Sequence, residues 1–300
     1  MTLTRPQQVQ TALITVGALA LFWVVRKLPT GTNLSHMDFR VQGANSIETC
    51  DPLNPQFIPV VNVRSPVTMK LATTAAAQVG REVQATFTLH TASGKPIGPE
   101  DLVVSHTKKL HLLIIDPSLA DYQHVHPTPT ATPGEWAFHF TPRSGGTYRL
   151  FADFTPVATG LGLYANTELA VAGDTLKADR RLSWTYEQNG YRFEMEPAAL
   201  PLRVRQTIDL KFVVTRADGG AVHLGPVMGA YAHLVAFDEN RSGFAHLHPA
   251  EADLSVKLDA LHPTLSFKIT IPLPGLYVIW AQVNLDDRET FAPFWFRVDS

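Results

Sequence analysis

A histidine-rich stretch occurs twice in this chain, and internal repetition at that scale requires two similar folding units in tandem. The first copy reads SHTKKLHLLIIDPSLADYQHVHP from Ser105 to Pro127, and the second reads VMGAYAHLVAFDENRSGFAHLHP from Val227 to Pro249. His111 matches His233, Asp116 matches Asp238, His124 matches His246, His126 matches His248, and Pro127 matches Pro249. In each copy the second histidine follows the first by thirteen positions and the third follows by two more. Five residues before the first histidine, copy one has His106 and copy two has Met228. Histidine and methionine share one chemical role in particular, as ligands of a soft or borderline metal such as copper.

The repeat extends beyond these stretches. VGREVQATFTLHTASGKPI from Val79 aligns with VRQTIDLKFVVTRADGGAV from Val204, so Phe87 falls on Phe212 and the Ser93-Gly94 pair on Asp218-Gly219. WAFHFTPRSGGTYRLFADF aligns with LSFKITIPLPGLYVIWAQV, which places Tyr148 on Tyr277, Phe151 on Trp280 and Asp153 on Gln282. Short alternating or apolar runs, punctuated by turn residues, are the profile of a β-sandwich. The expected fold is all-β: a tandem pair of homologous immunoglobulin-like or cupredoxin-like sandwiches after an N-terminal transmembrane helix. The expected division is an anchor over 1–28, a tether over 29–64, domain one over 65–172 and domain two over 173–300. Pro52, Pro55 and Pro59 interrupt the tether, although PQFIPVVNV can still add an edge strand to domain one. LSWTYEQNGYRFEME opens domain two as a hairpin with Asn189-Gly190 at its tip, and VRSPVTMKLA is its counterpart in domain one.

Residues 9–25, VQTALITVGALALFWVV, carry no charge. With flanking residues the stretch is long enough for a bilayer, and no small-x-small cleavage site follows it. An uncleaved anchor is expected, with the body outside the cytoplasm, in the periplasm. A net charge of -2 offers no basic field, so nucleic acid is not an expected partner. Cys50 is the single cysteine, which precludes an intramolecular disulfide. Its alternatives are a buried small residue, an intermolecular disulfide or an accessory metal ligand.

Seven of the twelve histidines lie in the two repeated stretches. LHLLII is a continuous apolar run, as for a buried strand, and HVHP begins the return strand. A hairpin centred near Ser118 sets His111 across from Val125, close to His124 and His126. The latter two share a face, because side chains alternate along a strand. The same reasoning gathers His233, His246 and His248. His106 and Met228 join these sets only if the backbone is irregular between them and the first histidine. Asp116 and Asp238 either orient an imidazole as carboxylates behind metal ligands do, or open their loops as turn formers. Tyr122 and Phe244 are expected to plug the sandwich ends. Asp153 and Gln282 are either polar ends of a buried strand or contacts behind the histidines.

Three or four neutral imidazoles suit Cu(II), Zn(II) or Ni(II), and Met228 shifts copy two toward Cu(I). Copper ranks ahead of zinc. No thiolate stands nearby, which argues against a blue-copper centre. His106, His111, His124 and His126, with Met228, His233, His246 and His248, give the chain a resemblance to extracytoplasmic copper-handling proteins of cupredoxin-like or CopC-like fold. That resemblance implies copper binding or transfer on a sandwich scaffold. The chain departs from both groups: it lacks the late cysteine ligand of cupredoxins and the mature N-terminal histidine of CopC-like proteins. No serine elbow, HExxH or phosphate-binding loop is present. The competing reading is a non-catalytic module that meets an envelope protein partner, with the histidines forming a scaffold of hydrogen bonds.

Overall fold

The structure, a computed structural model, describes residues 4–27, 34–39, 55–251 and 253–300. Cys50, Pro52 and most of the expected tether lie outside the described residues. The chain divides into two compact units, Met1–Asn33 and Leu34–Ser300.

In the first unit, Arg5–Lys27 is one α-helix. Thr4 and Gln7 begin it: the Gln7 side-chain oxygen accepts both the Thr4 backbone N–H and its hydroxyl, as in a capping box. Within the apolar stretch, the Thr11 and Thr15 hydroxyls donate to the carbonyls of Gln7 and Thr11, four residues back. Their polar groups therefore stay satisfied without solvent. The segment Arg5–Val24 is long and apolar enough to cross a membrane; twenty residues rise about 30 Å, the thickness of a hydrocarbon core.

The second unit contains two β-sandwiches of like topology. In domain one the outer sheet runs Val67–Thr73, Val83–Thr91, Glu135–Phe140, Thr128–Pro129, and the inner sheet runs Ala77–Gln78, Leu163–Ala172, Gly146–Phe154, Leu110–Ile115, Tyr122–Val125. The inner sheet of domain two repeats that order with Leu202–Arg203, Arg288–Asp299, Gly275–Leu285, Ala232–Asp238 and Phe244–Leu247. Its outer sheet runs Thr185–Gln188, Tyr191–Pro197, Thr207–Arg216, Thr264–Thr270. The expected Asn189-Gly190 hairpin is present; both residues have positive φ, as a two-residue turn requires. Its counterpart VRSPVTMKLA supplies the strand Val67–Thr73.

The two inner sheets pack on each other. Each sandwich has its own core: Leu112, Ile114, Tyr148 and Phe87 in domain one, Leu234, Ala236, Tyr277 and Phe212 in domain two. A third apolar cluster joins Leu113, Ile115, Tyr122 and Phe151 to Val235, Phe237, Phe244 and Trp280 across the boundary. Tyr122 and Phe244 thus bind the domains together instead of plugging sandwich ends; their rings lie 5.4 Å from Phe237 and Phe151 respectively. This second apolar face explains why LHLLII and AHLVAFD are buried throughout: each strand is covered on both sides. The segment from Pro55 also departs from expectation, since it pairs with domain two. Phe57 donates to the Thr270 carbonyl and Ile58 exchanges backbone hydrogen bonds with Phe244. Prolines 55 and 59 limit this pairing to isolated bridges at Gln56 and Ile58.

Candidate metal centre

Strand alternation decides where the histidines face. In Leu110–Ile115 the even positions enter the domain-one core and the odd positions face domain two. His111 is odd. The hairpin register pairs Leu112 with Val125 and Leu113 with His124, one residue away from the expected pairing of His111 with Val125. Cross-strand partners share a face, so the observed register puts His111, His124 and His126 together; the expected one would have separated them. Leu119, with φ of 67°, sets this register at the loop apex. Domain two repeats it, pairing Leu234 with Leu247 and Val235 with His246. His233, His246 and His248 therefore share the face turned toward domain one. Pro127 and Pro249 hold the preceding histidine extended and withdraw a ladder donor where each strand ends.

Two triads result, His111/His124/His126 and His233/His246/His248, each offering three ring nitrogens within 4.8 Å of one another. Hydrogen bonds behind the rings show which nitrogen faces inward. His111 Nε2 lies 3.0 Å from the Ser105 carbonyl, and His233 Nε2 lies 3.0 Å from the Val227 carbonyl. His124 Nδ1 lies 3.0 Å from Gln282 Oε1, and His246 Nδ1 lies 3.0 Å from Asp153 Oδ2. The Gln282 amide is oriented by donating its Nε2–H to Glu289. Every one of these partners is an acceptor, so each ring spends its N–H outward. A neutral imidazole has only one such proton, and the inward nitrogen is then a bare lone pair. The inward Nδ1 of His233 and the Nε2 atoms of His246, His248 and His126 are buried without a partner.

The remaining inward pair, His111 Nδ1 and His124 Nε2, stands 3.1 Å apart. With both protons committed elsewhere, two lone pairs face each other at that distance. It is close to the roughly 3.3 Å edge of a tetrahedron with 2.0–2.1 Å metal–nitrogen bonds.

Burial keeps the rings neutral. It holds the His126 imidazole down to about 4 and the His233 imidazole down to about 3. His124, His246 and His248 shift downward as well, from burial first and then from neighbouring imidazoles, and His106 and His111 are lowered by burial against the pull of Asp153. The Asp153 carboxyl is pushed up to about 6 by burial, against the pull of His111 and His106.

The fourth positions sit on matching tight turns. Ser105 and Lys108 exchange backbone hydrogen bonds around His106-Thr107, as Val227 and Ala230 do around Met228-Gly229. All four turn residues have positive φ. This turn supplies the irregularity His106 needed, but it carries the ring to the other domain. His106 stacks on His248 with centroids 3.4 Å apart and lies 5.9 Å from His233, against 6.4 Å from His111 of its own copy. Met228 is half-buried on the equivalent turn.

Asp116 and Asp238 do not meet an imidazole; the turn role is the observed one. Asp116 accepts the backbone N–H groups of Ser118, Ala120 and Asp121 and the Ser118 hydroxyl. Asp238 accepts the Ser242 N–H. The imidazole partners are Asp153 and Gln282, paired across their sheets with His111 and His233. Each reaches the opposite domain: Asp153 serves His246, and Gln282 serves His124. Their match in the repeat was visible in the sequence, but the exchange depends on which sheet faces are apposed. Elsewhere, Lys109 is tied to the Pro99 carbonyl, and His139 is exposed beside Glu82.

The triads open toward solvent on one side. A 190 Å³ pocket lined by His106, His111, Asp153, His246 and His248 enters the cluster. A neighbouring groove of 640 Å³ runs from His106 and His248 along the outer sheet of domain two.

A family model described as a domain of unknown function, DUF8832, matches residues 62–171 and again residues 186–300. The chain belongs to the DUF8832 family. The two matches coincide with the two sandwiches, so each DUF8832 unit contributes one triad and one residue behind the other unit's triad. Among curated proteins none matches. One solved structure, of a candidate membrane-anchored protein from Corynebacterium diphtheriae, is similar at 10% identity with a TM-score of 0.25. The similarity covers 79% of this chain and 59% of that one. The DUF8832 chain thus spans less than two thirds of that protein's length.

Proposed function

We propose that this protein is a membrane-anchored, extracytoplasmic metal-binding protein whose two histidine triads take transition-metal ions, copper foremost. One observation carries the reading: in each triad two of the three rings spend their protons outward on acceptors, the three ring nitrogens lie within 4.8 Å of one another, and four of the six are buried without a partner. Lone pairs buried together without a proton or cation are costly, and a metal ion removes that cost. Neutral imidazole donors suit copper and zinc. A low anionic charge around the donors favours Cu(I) over a divalent ion, and Asp153 is the carboxylate hydrogen-bonded to a triad ring. The helix Arg5–Lys27 would hold the sandwiches at the membrane, with the body on the periplasmic side.

A scaffold reading has one specific support, the 3.1 Å contact between His111 and His124. It becomes a hydrogen bond if one of those rings is protonated, which burial opposes. Elemental analysis of the full chain, purified in detergent without chelators, separates the two readings. Titration with Cu(I), Cu(II) and Zn(II) should show uptake that is lost from each domain when its own triad is replaced by alanine. Absence of uptake for all three ions would defeat the metal reading and leave the envelope-module reading standing.

A further inference from the structure

The polar side chains on the apposed faces of the inner sheets include the six triad histidines, Asp153 and Gln282. The spacing between triads approaches the spacing within them. His246 lies 5.3 Å from His124 and 5.5 Å from His111, ring centre to ring centre; the rings of His233 and His246, within one triad, are also 5.5 Å apart. A bound ion sits roughly 3.2 Å from the centroid of an imidazole that holds it, given bonds of about 2.0–2.1 Å. Ions in the two triads are therefore at most about 12 Å apart by the same bond lengths.

The groups behind the rings differ. In domain two, His246 donates to a carboxylate; in domain one, the equivalent His124 donates to a carboxamide. A carboxylate raises imidazole basicity and favours the more highly charged ion, and loss of such a partner typically costs metal affinity. Both groups come from the opposite domain.

We propose that the triads form one dinuclear metal centre at the domain interface, in which Asp153 and Gln282, exchanged between domains, make the two ions inequivalent. The proposal rests on the reading that the triads bind metal. The domain-two site, backed by Asp153, prefers a divalent ion, the reverse of the Cu(I) preference that Met228 suggested for that copy from sequence. The domain-one site, backed by Gln282, prefers Cu(I). Asp153 and Gln282 are positioning residues, since each acts through an imidazole.

The test uses the full chain in detergent and two backgrounds. His124→Ala with His126→Ala leaves only the domain-two triad, and His246→Ala with His248→Ala leaves only the domain-one triad. In the first background, Asp153→Asn should weaken Zn(II) binding by about 10- to 100-fold, although no histidine of that triad belongs to domain one. The Asp153→Asn chain without metal should melt within a few degrees of the unsubstituted chain, which separates a ligand effect from a folding effect. With both triads intact, two Cu(II) ions should bind per chain, with a dipolar-broadened electron paramagnetic resonance spectrum and a half-field transition. Two magnetically isolated Cu(II) signals, or an Asp153→Asn affinity within twofold of the parent, would overturn the dinuclear proposal while leaving metal binding intact. Absence of any metal uptake would overturn both.

Discussion

At the scale of single residues, the histidines face a conflict between burial and charge. His233 is fully buried and held down to about 3, and His126 to about 4, whereas an unfolded histidine titrates near 6.5. Below pH 6.5 the unfolded chain therefore binds more protons than the folded one, and stability falls as pH falls. The loss runs from about pH 6.5 down to about pH 3 for His233. Each such histidine contributes at most about 1.4 kcal/mol per pH unit. Asp153, raised to about 6, works in the opposite sense over part of that range. Urea midpoints of the metal-free chain should drop between pH 7.5 and pH 5; a flat profile would mean that the rings are solvated. His106 offers a second check. Its ring stacks on His248, so His106→Ala should alter metal affinity in the background that retains only the domain-two triad. Calorimetric titration of the domain-one background should be unchanged. The sequence reading gathered the six triad histidines by a hairpin register one residue off the observed one, and grouped His106 with its own copy. Chain proximity suggested that grouping, and only the apposition of the inner sheets reverses it.

At the scale of elements, hairpins and turns control the site more than the strands do. The loop Asp116–Asp121 sets the one-residue register on which the domain-one triad depends, because a shift of one would turn every side chain to the other face. Asp116 is fully buried and accepts three backbone N–H groups. Removing it strands those donors, so Asp116→Ala should cost about 2–4 kcal/mol. Asp238→Ala, which strands the Ser242 N–H, should cost about 1 kcal/mol. Chemical denaturation gives both values, and a negligible cost at Asp116 would contradict the turn assignment. The turn at His106-Thr107 places a β-branched residue at φ of 68°, where copy two has Gly229 at 77°. Relief of that strain by Thr107→Gly should stabilise the fold by about 1 kcal/mol, read as a higher melting temperature. Strand positions were legible from apolar runs and turn pairs such as Asn189-Gly190. Register was not, because an apolar run buried on both faces carries no alternation to fix it.

At the scale of the molecule, the two sandwiches share an apolar layer and behave as one unit. Arg149 donates to the carbonyls of Asn240 and Arg241, and Arg241 returns a hydrogen bond to Thr147, pinning the interface beyond its apolar centre. Thermal unfolding of the body should therefore appear as a single calorimetric transition. Phe237→Ala, which empties a buried position between domains, should cost about 3–5 kcal/mol and weaken metal binding at both triads. Two separated transitions would contradict this. The tandem architecture was readable from the repeat, but the shared layer was not: the residues that form it are spaced like ordinary core positions. The exchange of Asp153 and Gln282 has a consequence for symmetry. A homodimer built from one such sandwich would be bound by its twofold axis to put the same side chain behind both metal ions. Joining the two copies in one polypeptide lifts that obligation, so one substitution, at one of the two positions, is enough to give the halves of the centre different chemical preferences.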